Sequence, residues 1–168
     1  MSESFRRNCR LENSSVSVVS PVVESLFGWQ LMTNYWQLVL EGLMREVIAT
    51  REGPQAIGPY SQAIRANGFI FVSGQVAIDP ATQQVSSGDV AAQTDRVLQN
   101  LSAILKAGGS GLEKVVRSTV FLKNMSDFTA MNEVYGTYFT SAPPARSTVE
   151  VARLPKDVLL EIDVIALA

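Results

Sequence analysis

Two alternating runs near the end of the chain carry the side chains best suited to chemistry. The first, Arg146-Ser147-Thr148-Val149-Glu150-Val151, follows Pro143-Pro144-Ala145; the second runs from Val158 to Ala166 and carries Glu161 and Asp163. A guanidinium at the start of a strand suits bidentate capture of a carboxylate. Glu161 sits between Leu160 and Ile162, where an ionised side chain needs a partner. It can serve as a water-activating base, or simply as the counter-ion of Arg146. Both runs alternate with period two, the pattern of half-buried strands. If they pair as a hairpin with Val149 and Val151 on the same side as Val158 to Ala166, then Arg146, Thr148, Glu150, Glu161 and Asp163 share the opposite face.

Three further places carry polar groups of interest. Tyr60 follows Gly58-Pro59 and can aim a phenol into a pocket or anchor a loop. Ser73-Gly74 interrupts a strand-like run, as a bulge or as a hydroxyl and backbone group offered to a ligand. Asn132 falls inside an apolar helical stripe, where its amide must find a hydrogen-bond partner. Against these stand two absences. The chain has no histidine, which removes His-based triads, His metal ligands and the usual base near neutral pH. Its one cysteine, Cys9, lies near the N-terminus, so the region from Met44 onward has neither a thiol nucleophile nor a disulfide. Any catalysis there rests on carboxylates, Arg, Lys, Tyr, Ser or Thr and the backbone. A net charge of −2 speaks against a dedicated nucleic-acid binder, and no apolar run is long enough for a bilayer.

The elements that must position these residues follow from patterning. Glu46 to Thr50 reads as a strand, Gly53 to Tyr60 as a turn-rich loop, and Phe69 to Val76 as a second strand. Val90, Thr94, Val97, Leu98, Leu101, Ile104 and Leu105 form the stripe of an amphipathic helix, capped by Ser87 or Asp89 and ended by Gly108-Gly109. Val115 to Leu122 is a strand. Ser126 is the expected cap of a second helix with the stripe Phe128, Met131, Tyr135, Tyr138 and Phe139, stopped at Pro143-Pro144. The order strand, strand, helix, strand, helix, strand, strand predicts an α+β fold, a mixed sheet with both helices on one face. The other face carries Phe69, Phe71 and Phe121 and is too apolar to stay wet, which predicts a homo-oligomer.

Residues 1–43 differ from the rest. Arg6, Arg7, Arg10 and the serines from Ser14 to Ser20 hint at a transit peptide, but Glu3, Glu12, Glu24 and Glu41 contradict it. Met32, Tyr35, Trp36, Val39 and Leu43 are spaced for one short amphipathic helix. We read this segment as an extension, poorly ordered or non-native, with Met44 as the natural start and residues 44–168 as the functional domain.

Ile57-Gly58-Pro59-Tyr60-Ser61-Gln62-Ala63, Val72-Ser73-Gly74-Gln75, Val120-Phe121-Leu122-Lys123 and, above all, the run from Pro144-Ala145-Arg146 through Arg153-Leu154-Pro155-Lys156-Asp157 resemble the Rid (YjgF/RidA, reactive intermediate deaminase) family. The resemblance spans Met44 to Ala168. It implies a chorismate-mutase-like fold, a homotrimer around a central β-barrel, and ligand clefts between subunits. In the deaminase branch it implies hydrolysis of 2-imino acids, such as 2-iminopropanoate and 2-iminobutanoate, to 2-keto acids and ammonia. The position of Arg146 is similar to the arginine that grips the substrate carboxylate, and that of Glu161 to the acid that activates water. Gly74 offers a backbone anchor, while Tyr60, Ser73 and Asn132 match cleft-lining positions. Thr148 stands where many members carry cysteine, and is read as a cleft-lining residue. The resemblance implies no cofactor, no metal and a cytoplasmic role. Two other readings stay open: a carboxylate-binding module without turnover, and an RNA-directed activity.

Overall fold

The structure, a computed structural model, describes Met32, Thr33 and residues 45–168. The chain divides into two compact units, Met1–Val39 and Leu40–Ala168. Of the first, the described residues Met32 and Thr33 are helical and exposed. The remainder of the predicted N-terminal helix, and the expected character of the extension, lie outside the described residues.

The second unit contains β1 (Glu46–Ile48), β2 (Ala63–Ala66), β3 (Phe69–Val76), α1 (Val90–Ala107), β4 (Val115–Leu122), α2 (Phe128–Tyr138), β5 (Ala145–Glu150) and β6 (Leu160–Leu167). The strands make one mixed sheet in the order β1-β2-β3-β6-β4-β5. Every neighbouring pair is antiparallel except β4 and β5, which run parallel. The α+β class and the two helices agree with the sequence reading. Two details do not. β2 is a short strand in the stretch between the loop read over Gly53 to Tyr60 and the strand from Phe69, where no element was expected, and it joins β3 through Asn67-Gly68, both with positive φ (51° and 76°). Asn-Gly is the favoured pair for such a two-residue hairpin, because both residues tolerate the left-handed region. The closing hairpin is also absent. β6 enters between β3 and β4, and β5 lies at the edge, so Arg146 and Glu161 are not on paired strands.

The core lies between the sheet and the helices. Ile70, Val120, Leu122, Leu160 and Ile162 are fully buried against Val97, Leu98, Leu101, Ile104 and Leu105 of α1 and Met131 of α2. Complete burial of each such side chain contributes about 1.5–3 kcal/mol. Asp89 caps α1, its Oδ1 accepting from the Ala92 N–H at 2.9 Å. At the other end the Arg65 guanidinium donates to the Gly108 carbonyl at 2.5 Å, a cation at the negative end of the helix dipole. Ser126 does not cap α2. It lies within a 3-10 turn, Met125–Asp127, that leads into the helix, and Glu150 Oε2 accepts from the Met125 N–H at 2.7 Å. The two helices are tied by Tyr138, whose hydroxyl donates to Asp95 Oδ1 at 2.5 Å.

The face of the sheet away from the helices stays open in the single chain. Val47, Phe69, Phe71, Val149 and Leu167 are exposed there, and the Phe69 and Phe71 rings lie 6.4 Å apart. Among the described residues, no helix is long and apolar enough to cross a membrane.

Candidate functional site

The register of the sheet decides which side chains can meet. One row across it reads Ile48, Ala63, Val72, Val164, Ser118, Arg146, and another reads Val76, Glu161, Phe121, Val149. Residues opposed across a ladder share a face. The first row contains the buried Val72, Val164 and Ser118, so it faces the helices; the second faces the open side. Arg146, Thr148 and Glu150 therefore lie on the helix face, and Glu161 and Asp163 on the other. This corrects the single charged face expected from the hairpin. Inserting β6 between β3 and β4 removes the pairing on which that expectation rested.

Glu161 lines a cleft of about 290 Å³ with Tyr60, Ser73, Gly74, Gln75 and Pro155 among its walls. A bulge makes room for it: the β3–β6 register shifts between Val72 and Gln75, leaving Ser73 and Gly74 opposite Asp163. Gly74 leaves room for the Glu161 carboxylate, since a Cβ there would clash with Glu161 Oε1 and Cδ and push that group aside. Burial, and secondarily the charge of Asp163, pushes the Glu161 carboxyl above the ordinary carboxylate range. Ser73 Oγ donates to the Ser61 carbonyl at 2.7 Å, so the hydroxyl docks the loop and its lone pairs remain free to accept. Buried Gln62 staples the same loop, donating to the carbonyls of Thr50 and Pro54 at 3.0 and 2.7 Å. Tyr60 sits at the exposed tip of that loop, its hydroxyl accepting a long 3.4 Å bond from the Ile57 N–H.

Arg146 lines a second cleft, of about 340 Å³, with Asn132, Tyr135, Gly136, Phe139, Pro143 and Pro144. Its Nη2 donates to Asn132 Oδ1 at 2.7 Å. Asn132 is thus the guanidinium's hydrogen-bond partner on the exposed side of α2, not a group inside the buried stripe. The guanidinium carbon lies 4.5 Å from the Tyr135 ring centroid and 5.8 Å from that of Phe128. Thr148 stands two residues along β5, half-buried opposite Val120, on the same face as Arg146 but outside the walls of either cleft.

The seven residues singled out from sequence thus form two groups and one outlier. Tyr60, Ser73, Gly74 and Glu161 meet in one cleft, Asn132 and Arg146 in the other, and Thr148 in neither. Gln75, Pro155 and Tyr135 were missed. Pro155 had only its place in the closing motif as a signal, and Tyr135 was absorbed into the apolar stripe of its helix.

Two substitutions probe this geometry. Gly74→Ala must displace the Glu161 carboxylate while leaving the backbone room to fold. If the chain catalyses the imine hydrolysis that the resemblance implies, a displacement of this kind is expected to lower its kcat by about 10²-fold with folding kept, checked by a thermal melt beside the rate. Thr148→Val is expected to keep most of its rate, because a threonine hydroxyl needs an adjacent base to react and none is in contact. A Thr148→Val protein as inactive as Arg146→Ala would make Thr148 a reacting group.

The chain is matched over residues 50–168 by the family model described as Endoribonuclease L-PSP. A RutC family protein of Pyrococcus horikoshii is 55% identical over 123 residues, 73% of this chain and 98% of that protein. A Homo sapiens protein named 2-iminobutanoate/2-iminopropanoate deaminase is 44% identical over 128 residues, 76% of this chain and 93% of that one. Among solved structures, E. coli TdcF with bound serine is 40% identical with a TM-score of 0.70, over 73% of this chain and 98% of that one.

Proposed function

The chain belongs to the Rid family, described as Endoribonuclease L-PSP, and on that premise we propose that it hydrolyses 2-imino acids such as 2-iminobutanoate and 2-iminopropanoate to 2-keto acids and ammonia. The observation that carries this reading is the pairing of groups. A guanidinium is held by an amide and two rings with no carboxylate among the described residues, and a carboxylate is held half-desolvated in its own cleft. The first suits the substrate carboxylate and the second suits water. An imine carbon is already electrophilic, so positioning and one carboxylate base suffice. Ionised Glu161 takes a proton from water as the oxygen attacks the C=N carbon. Glu161 passes that proton to the imine nitrogen, giving a neutral carbinolamine. Ionised again, Glu161 takes the carbinolamine hydroxyl proton and delivers it to the amino nitrogen as the C=O bond forms and the C–N bond breaks, releasing ammonia and the keto acid. The Gly74 backbone and the lone pairs of Ser73 Oγ line the path of the amino group.

Arg146 and Glu161 stand on opposite faces of one sheet, so a single small substrate cannot reach both within one chain. A second copy that brings its Arg146 edge to the Glu161 cleft of the first solves this. The exposed Phe69, Phe71, Val149 and Leu167 surround that side of the sheet and supply the apolar contact. This supports clefts between subunits; the homotrimer around a central β-barrel and the cytoplasmic setting are proposed on the family resemblance, and the chemistry as written uses neither metal nor cofactor.

The bound serine of TdcF favours a second reading, in which the cleft holds a small carboxylate without turning it over. Ammonia release from freshly generated imine separates the two. Deamination predicts release well above the spontaneous rate, abolished in Arg146→Ala. Release at the spontaneous rate, with 2-ketobutyrate still bound, makes the protein a binding module. The family description also names an RNA-directed activity, which the charge of −2 and the absence of histidine disfavour.

A further inference from the structure

Among the described residues the ion pairs are Arg65–Glu46 and Lys123–Asp157, so Arg146 meets no carboxylate of these residues. Its seat is neutral. Phe128, Asn132 and Tyr135 follow one another at i, i+4 and i+7 on α2, which places one stripe of that helix over the guanidinium. Tyr135 is the closer ring at 4.5 Å, and it is held on two sides. Its hydroxyl is 2.7 Å from Ser118 Oγ, and its ring stacks on Phe139 with centroids 4.5 Å apart. Ser118 is fully buried and is the residue opposite Arg146 in the β4–β5 ladder. The arrangement closes on itself: Arg146 beside Ser118, Ser118 bonded to Tyr135, Tyr135 beneath Arg146.

From this closure we propose that Tyr135, locked by Ser118, is a positioning residue that seats the Arg146 guanidinium for the incoming carboxylate. The inference rests on the deaminase reading for its substrate. A carboxylate partner would also orient Arg146, but it would occupy the planar fork and cancel the charge that the substrate needs. A ring face orients the guanidinium and leaves both available. Burial holds the Tyr135 phenol above its ordinary titration range, despite the opposing pull of the Ser118 bond and the Arg146 charge, so the seat stays neutral at working pH.

The test compares Tyr135→Leu, Tyr135→Phe and Arg146→Ala as full-length proteins. The readouts are KM and kcat for 2-iminobutanoate, pyruvate binding by calorimetry, and the arginine side-chain NMR signals, with Arg146 assigned from the Arg146→Lys spectrum. Tyr135→Phe keeps the ring and its stack on Phe139 but loses the Ser118 lock, and is expected to raise KM by about two- to threefold, whereas Tyr135→Leu raises KM and the pyruvate Kd by about five- to tenfold with kcat nearly kept. The ring-current shift of Arg146 should persist in Tyr135→Phe and vanish in Tyr135→Leu. If Tyr135→Leu does not fold, Tyr135→Met fills more of the volume without a π face and is held to the same numbers. A folded Tyr135→Leu or Tyr135→Met with wild-type KM and pyruvate Kd overturns the inference, and Tyr135 is then core packing. Wild-type protein that neither binds pyruvate nor turns over imine overturns the deaminase reading itself, and the inference with it.

Discussion

Arg146→Lys is expected to raise the KM for 2-iminobutanoate by about 10- to 100-fold, the scale of losing one charge-assisted hydrogen bond of about 1.5–3 kcal/mol. The substitution keeps the charge but loses the planar fork. It also loses the 2.7 Å bond to Asn132 and the flat contact with Tyr135, so the ammonium is left without the seat built for a guanidinium. On the proposed mechanism, the carboxylate that Arg146 grips is present in substrate and product alike. The loss is therefore mainly in binding, and 2-ketobutyrate affinity should fall in parallel with the rise in KM. A variant with normal KM and normal keto-acid binding would remove Arg146 from the substrate site.

Glu161→Gln is expected to fail in the opposite manner. The amide keeps shape and hydrogen bonding but cannot take a proton from water, and loss of a general base costs about 10²–10⁴ in rate. That loss should appear in kcat, with keto-acid affinity kept. The pH profile gives a second readout. On the proposed mechanism the working form is the ionised carboxylate, and its pKa is raised by burial and then by Asp163. The wild-type kcat should therefore fall on the acid side with an apparent pKa above the ordinary carboxylate value. The residual rate of Glu161→Gln should lack that limb. A Glu161→Gln enzyme that binds keto acid and runs at the wild-type rate would reduce Glu161 to a structural charge.

How much of this was legible in the sequence depends on the range of the signal. The stripe from Val90 to Leu105, the Asp89 cap and the strands Phe69–Val76 and Val115–Leu122 are local patterns, and they stand as expected. β2 escaped because four residues, Ala63–Ala66, are too few to show alternation; its Asn67-Gly68 turn was the available signal. The pairing of β5 was misread for a different reason. Alternation tells which residues of a strand share a face, but not which strand lies next to it. Val149 and Val151 suggested a buried side, yet Val149 is exposed on the open face and Arg146 and Thr148 turn to the helices. The error reversed the relation of Arg146 to Glu161, which stand back to back across the sheet. The motif singles out the residues; only the strand order places Arg146 and Glu161 on opposite faces, which is why the proposed site calls for a second copy of the chain.

The most direct test of that claim mixes two inactive proteins. Arg146→Ala retains an intact Glu161 cleft, and Glu161→Gln retains an intact Arg146 cleft. Denatured together in equal amounts and refolded, they form mixed oligomers in which roughly one intersubunit cleft in four holds both native residues. The expected result is imine deamination at about that fraction of the wild-type rate, while each variant refolded alone stays inactive. If the mixture is no more active than the separate variants although wild type refolds to full activity, Arg146 and Glu161 do not act together across two copies, and the account of the site is wrong.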